Sequence, residues 1–153
     1  MAAPVPAEDD PILRALEVLS SRSGFLVMRE AFYGTRRFDD FARRLAMSPS
    51  SLAARLRTLV DAGLLDRAAY REAGTRTRHE YVLTAKGEAL LPALVALLQW
   101  GNEHLPARPS TVELVHRTGG APVRAEVRCA RGHDVPLREL RPVVRGPAAP
   151  DAP

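Results

Sequence analysis

The chain has a single cysteine, Cys129, and a single lysine, Lys86, among its 153 residues. One thiol cannot close an intrachain disulfide, which suits a reducing compartment and makes a cytoplasmic location the expectation. Aromatic residues are only 5% of the chain, so any core must be built from leucine, valine and alanine. Long apolar runs are also lacking. The longest, Ala89 to Leu98, contains Pro92 and is far shorter than the roughly 20 residues a membrane span needs. The opening MAAPVPAEDD has neither the basic start nor the apolar stretch of an export signal, so a soluble chain with no membrane partner is expected. No glycine-rich phosphate loop, nucleophile elbow or paired-carboxylate pattern occurs, so no enzymatic activity is expected.

What is present is positive charge, carried almost wholly by arginine. The net charge of +4 and the isoelectric point near 10.0 favour an anionic partner. A guanidinium grips phosphate oxygens or a guanine edge through two parallel N–H donors, which an ammonium cannot do. A GC-rich genome would enrich arginine and alanine together, and the same chemistry is available under either cause.

Apolar periodicity predicts a helix over Pro11–Ser20, with Ile12, Leu16 and Leu19 on one face. A second helix is expected over Gly24–Phe32, burying Phe25, Leu26, Met28 and Phe32. A third, Arg37–Ala46, carries Phe38, Phe41, Ala42 and Leu45 at helical spacing. After a break at Met47, Ser48 and Pro49 supply an N-cap and a first helical position for a fourth helix, which ends at Gly63. The period then changes: Leu64–Arg71 and Thr77–Thr84 read as two strands around a turn at Glu72–Thr75. A long helix is expected over Ala85–Leu105, too apolar around its girth to stand alone. Beyond it, Thr111–Arg117, the alternating Val123–Cys129 and Leu137–Val144 read as strands, with Cys129 facing inward beside Val123, Ala125 and Val127.

This order predicts a mainly α fold with a small β wing: a winged helix-turn-helix, a long C-terminal dimerisation helix and a small β-rich extension. The expected segments are a flexible tail at 1–10, a DNA-binding and dimerisation domain at 11–105, a β-rich C-terminal extension at 106–145, and a disordered tail at 146–153. In a winged helix the helix after the turn lies in the major groove. With Leu52, Leu56 and Leu59 inward, the candidate DNA-facing residues are Ser48, Ser50, Ser51, Ala54, Arg55 and Thr58. Between residues 36 and 78 there are ten arginines against five acids, a more basic balance than the whole chain has. Arg36, Arg37, Arg57, Arg71, Arg76, Thr77 and Arg78 are therefore expected at the DNA backbone and the wing. Winged-helix dimers match the two-fold of a pseudo-palindromic site, and Ile12, Leu13, Leu16, Leu19, Leu91, Leu94, Val95 and Leu98 are the candidate dimer contacts. Double-stranded DNA and a second copy of the chain are the expected partners.

The phrases Pro11-Ile-Leu-Arg-Ala-Leu-Glu-Val-Leu19, Leu26-Val-Met-Arg-Glu-Ala-Phe-Tyr-Gly34 and Arg36-Arg-Phe-Asp-Asp-Phe41 resemble the HxlR-type regulators. So do Ser48-Pro-Ser-Ser-Leu-Ala-Ala-Arg-Leu56, Gly63-Leu-Leu-Asp-Arg67 and Glu80-Tyr-Val-Leu-Thr-Ala-Lys-Gly87, over about residues 10–102. The resemblance implies a homodimer held by the first and last helices, with Ser50, Ser51 and Arg55 at the DNA and the wing arginines on its backbone. Three departures stand out. Asp10 occupies a position where many relatives have a cysteine, so thiol-based sensing there is unavailable. Ser23 replaces a usual tryptophan. In the extension, which the resemblance makes a degenerate zinc ribbon, Gly119 and Gly132 stand where cysteines would sit. The remaining His116, Cys129, His133 and Asp134 fall short of the thiolate-rich set a structural zinc site wants, so no metal or other cofactor is expected. Two further readings stay open: a winged helix turned to protein interaction or ligand sensing with weak DNA binding, and a regulator with an unidentified small-molecule effector received by the extension or the dimer interface.

Overall fold

The computed structural model describes residues 10–19, 21–70, 78–105 and 112–143. The chain divides into two compact units, one within 16–125 and one combining 10–15 with 126–143. In order, the elements are α1 (Pro11–Leu19), α2 (Arg22–Phe32), α3 (Phe38–Leu45), α4 (Pro49–Asp61), β1 (Leu65–Tyr70), β2 (Arg78–Leu83), α5 (Ala85–Glu88) and α6 (Leu91–His104). A 3-10 turn, Leu137–Glu139, follows in the extension.

Local chemistry sets most of these boundaries. Asp10 caps α1, its Oδ1 accepting the amides of Ile12 at 2.7 Å and Leu13 at 3.3 Å. Ser21 and Ser48 do the same for α2 and α4, accepting the amides of Gly24 at 3.0 Å and Ser51 at 3.3 Å. In α3 the first turn holds Asp39 and Asp40 and the last holds Arg43 and Arg44, which complements the helix dipole at both ends. The turn to α4 passes through Ala46 in the left-handed region, at φ 49°.

The core of the larger unit is Val27, Met28, Ala31, Phe41, Leu52, Leu56, Leu59, Leu64 and Leu65. On α4 the inward residues are those expected. On α2 only Met28 of the expected set is inward: the buried stripe is Gly24, Val27, Met28 and Ala31, while Phe25, Leu26 and Phe32 are only partly covered. That spacing is i, i+3, i+4, i+7, and the small residues at both ends let α2 approach its neighbours closely. Glu30 is buried on the same helix. Its carboxylate accepts from Arg29 at 2.9 Å and from the Thr35 hydroxyl at 3.2 Å, and Arg44 of α3 lies 3.8 Å away. Sequence periodicity gave no hint of this tie between α2 and α3.

The two strands pair antiparallel, from Leu65 opposite Leu83 to Tyr70 opposite Arg78. Their base is locked to α4 and α5. The Thr84 hydroxyl donates to Gly63 O at 2.7 Å and accepts the Gly87 amide at 3.0 Å, and Lys86 Nζ donates to Ala62 O, just past the end of α4, at 2.7 Å. Gly87 is required by this closeness, because a Cβ there would meet Leu64 O at 2.2 Å. Gly87→Ala is expected to cost about 1–3 kcal/mol, seen as a lower urea midpoint at unchanged m-value.

Several expectations are corrected. The single long helix over 85–105 is two, because the Pro92 ring lacks an N–H and clashes with the Glu88 carbonyl one turn back. Of the candidate dimer contacts, Leu94 and Val95 are buried within the chain at 6% and 2% exposure and are unavailable as surface residues. In the extension no strand ladder forms among the described residues. Instead there are isolated bridges, Val115 with Pro122 and Arg128 with Asp134. Each closes a tight turn that uses glycines at positive φ, Gly119 and Gly120 in one and Gly132 in the other. Val123–Cys129 runs from one turn to the next with no long partner, and Cys129 is exposed rather than inward-facing. The expected third strand at 137–144 is absent as far as residue 143: Leu137–Glu139 form the 3-10 turn and 140–143 are irregular.

Candidate nucleic-acid interface

α3, the turn at Ala46–Ser48 and α4 form a helix-turn-helix, with β1 and β2 as the wing. Phe41 of α3 anchors the unit: it is fully buried and meets the Tyr81 ring of β2 edge-on, centroids 6.5 Å apart at 81°.

The outer side of α4 is where the sequence placed it. Ser48, Ser50, Ser51, Ala54, Arg57 and Thr58 are exposed, against the buried Leu52, Leu56 and Leu59. The serines organise one another. Ser48 Oγ donates to Ser51 Oγ at 3.0 Å and lies 3.3 Å from Ser50 Oγ. The Thr58 hydroxyl donates to Ala54 O at 3.0 Å, which leaves its oxygen lone pairs outward as acceptors. Arg55 differs from expectation, being half-buried. Its side chain borders a groove of about 530 Å³ with Ser23, Met47, Ser48, Ser50, Ser51 and Ala54. No hydrogen bond or ion pair engages it among the described residues.

The arginines sort into two groups. Arg43 pairs with Asp40, Arg44 approaches Glu30, and Arg67 Nη2 lies 3.1 Å from His79 Nδ1. Arg36 approaches Glu80 at 3.9 Å and stays largely exposed. Arg37 covers the Tyr70 ring, its guanidinium carbon 4.9 Å from the centroid. Arg57 and Arg78 are exposed without such engagement among the described residues. Arg71, Arg76 and Thr77 lie outside the described residues.

Of the other candidate dimer contacts, Ile12, Leu13, Leu16 and Leu91 are exposed, whereas Leu19 and Leu98 are partly covered. Leu97 and Trp100, which the sequence reading left out of that set, are exposed at 54% and 55%. Among the described residues no helix is long and apolar enough to cross a membrane.

A tri-helical unit with a two-stranded wing defines the winged helix-turn-helix class. Within it, the profile of the HxlR-like helix-turn-helix family matches residues 18–109, and the chain belongs to that family. An HTH-type transcriptional regulator of Mycobacterium tuberculosis is 41% identical over 138 residues, 88% of this chain and 85% of the relative. The solved structure of PA1607, a candidate transcription factor, matches with a TM-score of 0.77 at 38% identity, covering 90% of this chain and 96% of the other. A second candidate transcription factor, PA1374 of Pseudomonas aeruginosa, matches at 43% identity with a TM-score of 0.63, covering 93% and 96%. The protein is a helix-turn-helix transcriptional regulator of the HxlR type.

Proposed function

We propose that this regulator binds double-stranded DNA as a homodimer on a pseudo-palindromic operator, with α4 in the major groove and the wing on the adjoining backbone. The observation that carries the reading is the outer side of α4. It presents small and hydroxyl-bearing side chains together with Arg57, beside a half-buried, unengaged Arg55. Short side chains let the helix backbone approach base edges, and the positive end of its dipole favours a phosphate nearby.

Two such helices read successive half-sites only if the dimer two-fold sets them about one DNA turn, roughly 34–36 Å, apart. Ile12, Leu13 and Leu16 of α1 and Leu91, Leu97 and Trp100 of α6 supply the exposed apolar surface for that pairing. Exposed large apolar side chains are unfavourable in water and are covered when two copies join through them.

Arg55 tests the assignment. Arg55→Ala should weaken binding to the operator by about 1–3 kcal/mol while changing affinity for scrambled DNA far less. Competition titrations of the two proteins against both duplexes read the difference. Equal operator affinity for wild type and variant would remove Arg55 from the recognition surface.

The effector-responsive reading has one specific support. A groove of about 370 Å³ lies between α6 and residues 113–124, lined by the apolar Val95, Leu98 and Leu114 and by the polar Asn102, Glu113 and Arg124. A metabolite screen that moved neither thermal stability nor operator affinity would retire that reading.

A further inference from the structure

We propose that Arg37 is a positioning residue: it holds the wing against the helix-turn-helix by stacking on Tyr70, and does not serve as a phosphate contact. The proposal rests on the DNA-binding reading above and reassigns one of the arginines that the sequence placed at the DNA backbone.

Residues 36 and 37 meet the outer edge of β2 through a single bridge. Arg37 bridges Glu80 antiparallel, and the Tyr81 amide donates to Arg36 O at 2.8 Å. On the other side of β2, Ala68 lies opposite Glu80 and Tyr70 opposite Arg78. Residues directly opposed across a sheet share a face. Arg37, Glu80 and Ala68 therefore form one row, and Tyr70 and Arg78 form the next row on the same face. The Arg37 side chain crosses β2 diagonally to reach that row, where its guanidinium lies 4.9 Å from the Tyr70 centroid. Its neighbour Arg36 approaches Glu80 of β2 at 3.9 Å. Two consecutive arginines just before α3 thus hold the wing, one through a carboxylate and one through a ring face.

The position of the stack gives it a consequence. Tyr70 is the last residue of β1 and Arg78 the first of β2, so the stack closes the far end of the described ladder. A two-stranded ladder is marginal by itself, and modest contacts decide how it is held. Holding it at Tyr70 fixes where Arg78 projects relative to α4. Arg37 then acts on DNA through Arg78, which is exposed.

The test uses the full-length protein and four variants: Tyr70→Leu, Tyr70→Phe, Arg37→Gln and the double variant Arg37→Gln, Tyr70→Leu. Each is titrated against a random-sequence duplex across a range of salt, and exchange of the Tyr81 amide is followed in the free proteins. Tyr70→Leu and Arg37→Gln should each weaken binding about two- to fivefold, the range of an exposed cation–π contact, and speed Tyr81 exchange by a similar factor. The log–log salt slope should stay at the wild-type value, because no phosphate contact is lost. Tyr70→Phe, which keeps the ring, should match wild type in both readouts. The double variant Arg37→Gln, Tyr70→Leu should be no weaker than Arg37→Gln alone, because the stack is already lost in that variant. A slope reduced by about one in Arg37→Gln, with Tyr70→Leu unchanged, would overturn the proposal and make Arg37 a phosphate ligand. If wild type binds no duplex, the DNA-binding reading falls, and Tyr81 exchange alone still decides whether Arg37 and Tyr70 hold the wing.

Discussion

A chain carrying Ser51→Glu should fold at least as well as its parent and bind DNA about a hundredfold more weakly. Ser51 is the third residue of α4, three after the N-cap Ser48. A glutamate there completes a capping box, in which the Ser48 hydroxyl takes the residue-51 amide and the new carboxylate reaches back to the Ser48 amide. A negative charge in the first turn also complements the helix dipole, adding about 0.3–1 kcal/mol. The parent side chain is exposed, so nothing in the core has to move. On the proposed interface, however, the carboxylate would face DNA. Like charges brought together across an interface cost several kcal/mol, and roughly 3 kcal/mol is about two decades in affinity. Thermal melting and anisotropy titration of the same preparation read the two effects separately. A variant with raised melting temperature and undiminished DNA affinity would place the interface elsewhere.

The second large effect is on stability. Phe41→Ala should cost about 3–5 kcal/mol, the usual range for removing a large aromatic ring from a close-packed core. Phe41 is completely buried within the cluster joining α2, α3, α4 and β1, and its edge contact with Tyr81 reaches the wing. The cavity would open at the centre of the helix-turn-helix, where the backbone cannot collapse without shifting α4. For a domain with about 5–15 kcal/mol of total stability, such a loss leaves a substantial unfolded fraction at physiological temperature. Chemical denaturation checks this, and a loss below about 1 kcal/mol would mean that Phe41 does not anchor the unit.

The parts of the fold legible in the sequence are those governed by local rules. The inward face of α4 follows from Leu52, Leu56 and Leu59 at helical spacing, and its start from Ser48 and Pro49. The wing follows from the change to strand period after Gly63. Less legible was anything fixed by partners distant in sequence. Arg37 and Tyr70 stack across 33 positions of chain, a pairing no periodic pattern announces. Glu30 is buried because Arg29, Thr35 and Arg44 surround it, and the composition of α2 says nothing of that. Leu94 and Val95 read as interface residues because an apolar stripe does not say which of its members the same chain covers. The alternating Val123–Cys129 failed as a strand for a related reason: alternation makes a strand compatible, but a ladder also needs a partner edge, and the described residues supply only isolated bridges at its two ends.

If α4 is a DNA-reading helix in a two-fold assembly, operator binding must be both sequence-specific and two chains deep. Anisotropy titration of the wild-type protein against the DNA upstream of its own gene, with scrambled competitor and at several salt concentrations, addresses this in one experiment. The expected result is two chains per duplex, binding about a thousandfold tighter than to competitor, and a steep loss of affinity with salt. Binding that is equal for both duplexes, or that saturates at one chain per site, would contradict it.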